Sequence, residues 1–357
     1  MNFGKRLAEW YQKNKRELPW RDINDPYRIW LSEIILQQTR VNQGMDYYIK
    51  FVDKYPDILD LADASRDEVF KLWQGLGYYN RAENMLATAK MVVEQYGGHF
   101  PADRELLLKL PGIGPYTSAA IASIAFNLPF AVIDGNVYRV LSRIFGITEV
   151  VNSTEGTKRF QQYADELVDR KQPGIYNQSI MEFGALYCTP VNPDCRNCIF
   201  KNECFAFSNG KVNDLPVKKP KNKIRNRFFY YFMIEPEPGS NETAKVYLKK
   251  RMNVDIWKNL YDFLLVETDH KLELNDDIIT GMLQQNFKLE DPLIRLVSKE
   301  YIHKLTHQAI HATFIQVNVN KKLDEHEKFV ILTHKNKLVD YPVPRLIEQF
   351  LSDYKIL

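Results

Sequence analysis

From residue 1 to about residue 207, apolar side chains recur three and four positions apart, the spacing that gathers them on one face of an α-helix. The series Ile29, Trp30, Ile34, Gln37, Val41 keeps that spacing, and strand-like alternation is scarce. The stretch predicts a helical unit with short connections. The pattern changes at residues 208–227, SNGKVNDLPVKKPKNKIRNR, which carry seven Lys or Arg against one Asp, with two prolines. This segment reads as a basic linker, either a solvated tether or a strip that lies against nucleic acid. Strands are predicted beyond it, at residues 228–234, at 245–250 (KVYLKK) and at the alternating 313–319 (TFIQVNV). Residues 344–357 read as a helix again. The expected organisation is an all-α unit over 1–207, a linker over 208–227 and a compact α+β unit over 228–357, with no internal repeat.

A length of 357 residues suits two or three domains. The 45% hydrophobic and 26% charged content is that of an ordinary globular protein, with aromatics at 13%. A net charge of +3 is too small to establish a nucleic-acid partner, so local charge placement carries that argument. The N-terminus, MNFGKRLAEWYQKNKREL, is charged and amphipathic and lacks the apolar core of a signal peptide. No stretch approaches a membrane-spanning run. The expectation is a cytoplasmic chain with no membrane partner, where disulfides are unusual.

All four cysteines then need another role. They fall in one loop, Cys188-x6-Cys195-x2-Cys198-x5-Cys204. Four thiolates in so short a segment can enclose one metal centre, a structural zinc or an iron–sulfur cluster. Paired C-x2-C knuckles favour zinc, but only one pair here is that close, and spacing alone leaves both open. The same spacing resembles the cluster loop of the endonuclease III and adenine glycosylase superfamily. That resemblance implies a 4Fe-4S cluster held by Cys188, Cys195, Cys198 and Cys204, in a mainly structural loop that faces DNA. Arg196 and Lys201 supply its positive charge.

Residues 108–121 read LKLPGIGPYTSAAI. Gly112 and Gly114 permit a tight turn, and Pro115 suits the first turn of a helix. Free amides at such a helix start bind an anion. A phosphate held there positions a duplex without reading its sequence. An ordinary helix-turn-helix corner has a similar composition, but the string resembles the helix-hairpin-helix motif of DNA glycosylases, over about residues 105–125.

Two carboxylates stand out. Glu33 lies in PYRIWLSEIILQQTR, where its helical neighbours are Ile29, Trp30, Leu36 and Gln37. A carboxyl among apolar side chains is desolvated and its pKa rises, the setting of a general acid at neutral pH. Asp134 lies in FAVIDGNVYRVLSRIF, where an apolar run ends and a helical pattern begins. By itself it reads as a helix N-cap; the functional alternative is an ionised carboxylate facing a cationic transition state.

Three strings resemble the adenine glycosylase (MutY) family: WLSEIILQQT like its catalytic helix, VIDGNVYRV like its catalytic-aspartate loop, and WQGLGYYNRA at 73–82 like its DNA-wedge segment. The match runs from about Trp10 to Phe205. The resemblance implies that Glu33 protonates an adenine ring nitrogen and that Asp134 stabilises the oxocarbenium ion. Tyr116 and Asn136 support them by hydrogen bonds. Gln38 and Tyr78 enter the duplex, Tyr78 beside the lesion, and Trp20 and Arg21 line the adenine pocket. The chemistry is coherent, because a stacked base must be flipped out before it is cut, and glycosidases divide acid and electrostatic work between two carboxyls. A lyase of the endonuclease III kind needs an amine nucleophile. That branch carries Lys where this chain has Tyr116, and the nearest hairpin lysine is Lys109. A monofunctional hydrolase is expected.

The 228–357 region resembles the Nudix-like C-terminal domain of adenine glycosylases through DIWKNLYDF, HKLTHQ and YPVP, without a Nudix acidic box. The lesion-reading tripeptide, commonly Phe-Ser-His, is Leu305, Thr306 and His307 here. Thr306 keeps the hydroxyl donor, and Leu305 lacks the aromatic contact. His303, His307 and His311 are spaced by four, but the surrounding pattern is a loop running into a strand, which misaligns them as ligands. The expected partner is double-stranded DNA with adenine opposite 8-oxoguanine or guanine, bound by a monomer.

Overall fold

The computed structural model describes residues 3–219, 224–236, 244–253, 255–320, 323 and 329–356. Residues 220–223 of the expected linker, and Leu357 of the expected C-terminal helix, lie outside the described residues.

Short polar side chains set many of the helix starts. Asp25, Asp57, Ser65, Asp103, Asp134 and Ser153 each accept a hydrogen bond from a backbone N–H in the first turn of the helix that follows, which satisfies donors the helix itself cannot. The helices of the first half are α1 (Phe3–Asn14), α2 (Pro26–Leu36), α3 (Val41–Lys54), α4 (Ile58–Asp63), α5 (Arg66–Trp73), α6 (Asn80–Tyr96), α7 (Arg104–Leu107), α8 (Pro115–Phe126), α9 (Gly135–Phe145), α10 (Thr154–Leu167), α11 (Pro173–Leu186) and α12 (Phe205–Ser208). Gln37 and Val41 do not continue the apolar face of α2. That helix ends at Leu36, Gln38 takes a left-handed φ of 55°, and Val41 opens α3.

By contacts the chain divides into two units. One is Met1–Ala64 with Asn84–Pro220, and the other is Ser65–Glu83 with Lys221–Leu357. The helical unit therefore omits residues 65–83, which the sequence pattern alone groups with it. Its core joins Phe3, Leu7 and Trp10 of α1 to Val140, Leu141 and Ile144 of α9, Phe160 of α10 and Ile180 and Phe183 of α11.

The second unit is α+β, as expected. Its strands are β1 (Arg225–Pro236), β2 (Lys245–Lys250), β3 (Tyr261–Asp262), β4 (Leu264–Thr268), β5 (Leu293–Val297), β6 (Tyr301–Lys304), β7 (Gln308–Val319) and β8 (Val330–His334), with helices α13 (Asp276–Phe287) and α14 (Arg345–Asp353). One sheet runs β4-β1-β7-β5, with β6 also paired to β7; the other runs β3-β2-β8. β1 begins at Arg225, inside the segment read as linker, because its parallel pairing with β7 extends down to Gln308. The continuous run FFYYFMI follows from burial on both faces of this central strand. Phe229, Tyr231 and Met233 face a core shared with Leu346, Ile347 and Phe350 of α14, while Tyr230, Phe232 and Ile234 face Ile279, Met282 and Leu283 of α13. Among the described residues no helix is long and apolar enough to cross a membrane.

One buried amide shapes the helical unit near its chemistry. Asn177 of α11 is fully buried. It donates to Ser123 Oγ and to Phe130 O, both at 2.8 Å, and accepts from Val132 N at 3.1 Å. It thus fixes residues 130–132, which lead into Asp134. Asn177→Ala would leave these backbone groups unpaired out of water, at a cost of about 2–4 kcal/mol. Urea unfolding should show a lowered midpoint with an unchanged slope.

Candidate active site

A cavity of about 550 Å³ opens in the helical unit between α2, α8, α11 and the start of α9. α2 is almost wholly apolar and buried: Tyr27, Ile29, Trp30, Leu31, Ile34 and Ile35 all lie inside. Glu33 is its one acidic residue, and it lines the cavity. Burial, reinforced by the nearby charge of Asp134, pushes its pKa up to about 7; a hydrogen bond from Tyr116 and the charge of Arg21 oppose this. The Tyr116 hydroxyl also lies 3.3 Å from Met181 Sδ.

Asp134 serves as both cap and cavity wall. Its Oδ1 accepts from Asn136 N at 2.9 Å and Val137 N at 2.7 Å, which starts α9, and its Oδ2 accepts from Asn136 Nδ2 at 2.7 Å. Burial raises its pKa above the usual carboxylate range, and the three N–H bonds pull against that rise. Asn136 is held in turn, its Oδ1 accepting from Arg139 Nη2 at 2.9 Å. The same guanidinium donates to Gly184 O at 2.6 Å and Cys188 O at 2.7 Å. Gly184 is required here, since a Cβ would stand 2.6 Å from Asn136 Cβ.

The cavity also gathers Trp20, Arg21 and Gln38. Trp20 packs edge-on against Tyr48, with ring centroids 4.9 Å apart. Residues that the sequence reading missed complete the wall, Arg16, Gln178, Met181 and Glu182. The Glu182 side chain is 1% exposed and accepts from Arg16 Nη2 at 2.6 Å and Arg21 Nη2 at 2.9 Å. Burial raises its pKa, but the Arg16 hydrogen bonds and the Arg21 charge outweigh burial and hold it below the ordinary value. The signal that picked out Glu33, a carboxylate inside an apolar helix, was present in NQSIMEFGAL as well.

At the hairpin, Gly112 has φ 75°, and a Cβ there would meet Asn84 Cβ at 2.8 Å. Gly114 caps α8 without a side-chain bond and faces open space. Neither lines the cavity, but Gly114 lies two residues before Tyr116.

The four cysteines line one small apolar cavity. Phe200 N donates to Cys198 Sγ at 3.4 Å, and Arg143 Nη1 lies 3.5 Å from Cys188 Sγ. Burial raises the Cys195, Cys198 and Cys204 thiols, Cys198 to about 11, and the negative charges of the neighbouring thiolates add to this. Among the described residues no three His, Cys, Asp or Glu side chains are drawn together so as to hold a single metal ion. Arg196 and Lys201 are exposed.

In the second unit, the Tyr78 hydroxyl lies 3.0 Å from Thr306 Oγ1. Thr306 and His307 are exposed at the turn joining β6 to β7, which Leu305 N closes by donating to Gln308 O at 2.8 Å; Leu305 packs toward the core. His303 on β6 meets Trp257, whereas His311 on β7 stacks on Phe228.

Residues 31–170 match the HhH-GPD superfamily of base excision DNA repair proteins. An adenine DNA glycosylase of Buchnera aphidicola is 33% identical over 340 residues, covering 95% of this chain and 90% of its own. The chain belongs to the adenine DNA glycosylase family. Its members are hydrolases that act on DNA. The adenine DNA glycosylase of Homo sapiens is 44% identical over 209 residues, 56% of this chain and 38% of its own. Among solved structures, a thermostable thymine-DNA glycosylase is 32% identical with a TM-score of 0.54, covering 58% of this chain and 95% of its own.

In this family member, Glu182 is the anion that lets two guanidinium groups stand in the cavity wall. Glu182→Ala should cost on the order of 3 kcal/mol at pH 7, because it leaves Arg16 and Arg21 without their counter-charge. A carboxylate with a depressed folded-state pKa stabilises above its unfolded pKa and loses that contribution as pH falls. The gap between the two proteins in urea titrations should therefore be full at pH 7 and shrink as pH falls below the ordinary glutamate value of 4.5.

Proposed function

We propose that this chain hydrolyses the N-glycosidic bond of adenine mispaired with 8-oxoguanine, and also with guanine, leaving an abasic site. The observation that carries this reading is Glu33, a buried carboxyl held protonated up to about pH 7 in a cavity that Asp134 also lines and that has room for a flipped base. Adenine leaves poorly as an anion. Glu33 gives its proton to a ring nitrogen, so that the base departs neutral. Asp134, fixed by three N–H donors, faces the sugar and stabilises its developing positive charge until a water adds to the anomeric carbon and loses a proton, leaving the abasic sugar. Tyr116 orients Glu33, and Asn136 orients Asp134. Trp20 and Arg21 bound the flipped base, and Glu182 accepts hydrogen bonds on the same wall.

The amides at Gly114 and the start of α8 take a phosphate, for which the open space at Gly114 leaves room. Tyr78, 47% exposed with φ 49°, and Gln38, with φ 55°, enter the vacated stack. Thr306 and His307 contact the oxidised guanine, with Leu305 beneath them. Cys188, Cys195, Cys198 and Cys204 would hold a 4Fe-4S cluster, a fit supported by four thiols facing one apolar cavity. Ligation by these four thiolates would brace the loop that presents Arg196 and Lys201 to DNA. Hydrolysis itself is the work of the two carboxyls. Among the described residues the cavity lining includes arginines but no lysine, which favours hydrolysis without a Schiff base.

Single-turnover assays test the assignment on duplexes with adenine opposite 8-oxoguanine, adenine opposite guanine, and thymine glycol opposite adenine. Adenine release that breaks the strand only after alkali is expected. Cleavage of the thymine glycol duplex without alkali would overturn the reading. Glu33→Gln should bind as tightly as the native chain and excise nothing measurable. The native rate should be flat below about pH 7 and then fall tenfold per unit as Glu33 loses its proton. Tyr116→Lys should introduce a borohydride-trappable adduct. Iron and sulfide analysis of the purified chain tests the cluster, with zinc as the opposing result.

A further inference from the structure

We infer that Arg81 is the positioning residue that sets the Tyr78 wedge before DNA arrives, an inference that rests on the wedge role proposed for Tyr78. The segment from Gly75 to Tyr78 is an improbable one. Gly75, Gly77 and Tyr78 have φ of 94°, 74° and 49°, and the last is a left-handed conformation that a tyrosine rarely adopts. Such a backbone persists only when its surroundings over-determine it, and Arg81 supplies much of that determination.

Arg81 sits in the first turn of α6 and is 9% exposed. Its Nη2 donates to Leu76 O at 3.3 Å and Gly77 O at 3.1 Å, and its backbone N donates to Tyr78 O at 2.9 Å. One residue thus binds three successive carbonyls of the strained turn. Its guanidinium carbon lies 4.9 Å from the centroid of the Trp73 ring and 5.8 Å from that of Tyr78. Trp73 closes the arrangement, its Nε1 donating to Gly77 O at 3.0 Å. On the far side the Tyr78 hydroxyl meets Thr306 Oγ1. The ring is therefore held at its root by Arg81 and at its tip by Thr306, with its body left exposed. Nη2 binds two carbonyls while the flat guanidinium lies over the Trp73 ring; an ammonium has donors enough for the carbonyls but no planar face to stack. Preorganisation of this kind removes the ordering cost from the binding step.

The test uses the full chain with Arg81→Lys, which keeps the charge and removes the fork and the stack. In the DNA-free protein, amide hydrogen exchange across residues 75–79 should quicken at least tenfold, with residues 115–137 unchanged. Affinity for the duplex with adenine opposite 8-oxoguanine should fall at least tenfold, while the single-turnover rate at saturating enzyme stays within twofold. The loss in the double variant with Tyr78→Ala should fall short of the two single losses multiplied, since without the ring Arg81 has nothing left to position. Trp73→Phe, which keeps a ring and loses one donor, should move exchange in the same direction by less. Unchanged exchange in Arg81→Lys overturns the proposal, as do losses that multiply in the double variant. Faster exchange in Arg81→Lys, with affinity untouched by Tyr78→Ala, would sustain the positioning role and reject the wedge.

Discussion

Two buried carboxyl groups facing one cavity cannot both carry charge near neutral pH without compensation. The helical unit resolves this by treating them unequally. Asp134 receives three N–H donors at the head of α9, the surroundings of an anion. Glu33 projects from a helix whose neighbouring positions are apolar and finds a phenol, the surroundings of an acid. Much else in the unit maintains that asymmetry. Asn177 fixes the segment leading into Asp134, Arg139 fixes Asn136, and Gly184 makes room for it. Glu182 keeps two guanidinium groups in the wall without leaving them uncompensated.

The second unit is organised on a different basis. β1 pairs in parallel with β7 over twelve residues and buries both faces, so packing decides nearly every side chain along it. Phe314 of β7 lies flat against Phe350 of α14, with centroids 4.3 Å apart, and Tyr231 stacks on the other face of Phe314 at 5.1 Å. At the turn between β6 and β7 that packing ends, and Thr306 and His307 stand exposed.

Legibility in the sequence followed the range of the interaction. Glu33 was readable because most of its helical neighbours three and four positions away are apolar. The capping role of Asp134 was legible because capping is local, and the structure shows it at the head of α9. Gly112 could be recognised as a turn residue from its neighbours, although the contact with Asn84 that forbids a side chain there could not. The pairing of Arg16 with Glu182 spans 166 positions and that of Tyr78 with Thr306 spans 228, and no periodicity reports such contacts. The start of β1 was misplaced for the same reason, since its first pairing partner is Gln308.

The division of the chain into units has an evolutionary and practical side. Because Ser65–Glu83 groups with Lys221–Leu357, the polypeptide crosses between units three times, not once. In the C-terminal unit Lys250 pairs with Asp67 at 3.0 Å, Gln74 bonds to Glu348, and Asn259 donates to Glu83 at 3.2 Å. A protease cut within the basic segment after residue 207 would not release two finished modules. It would leave the fragment containing Tyr78 and Arg81 without the partners it packs on. Loss or exchange of the C-terminal unit during descent would thus demand matching change in a stretch of sequence more than a hundred residues upstream.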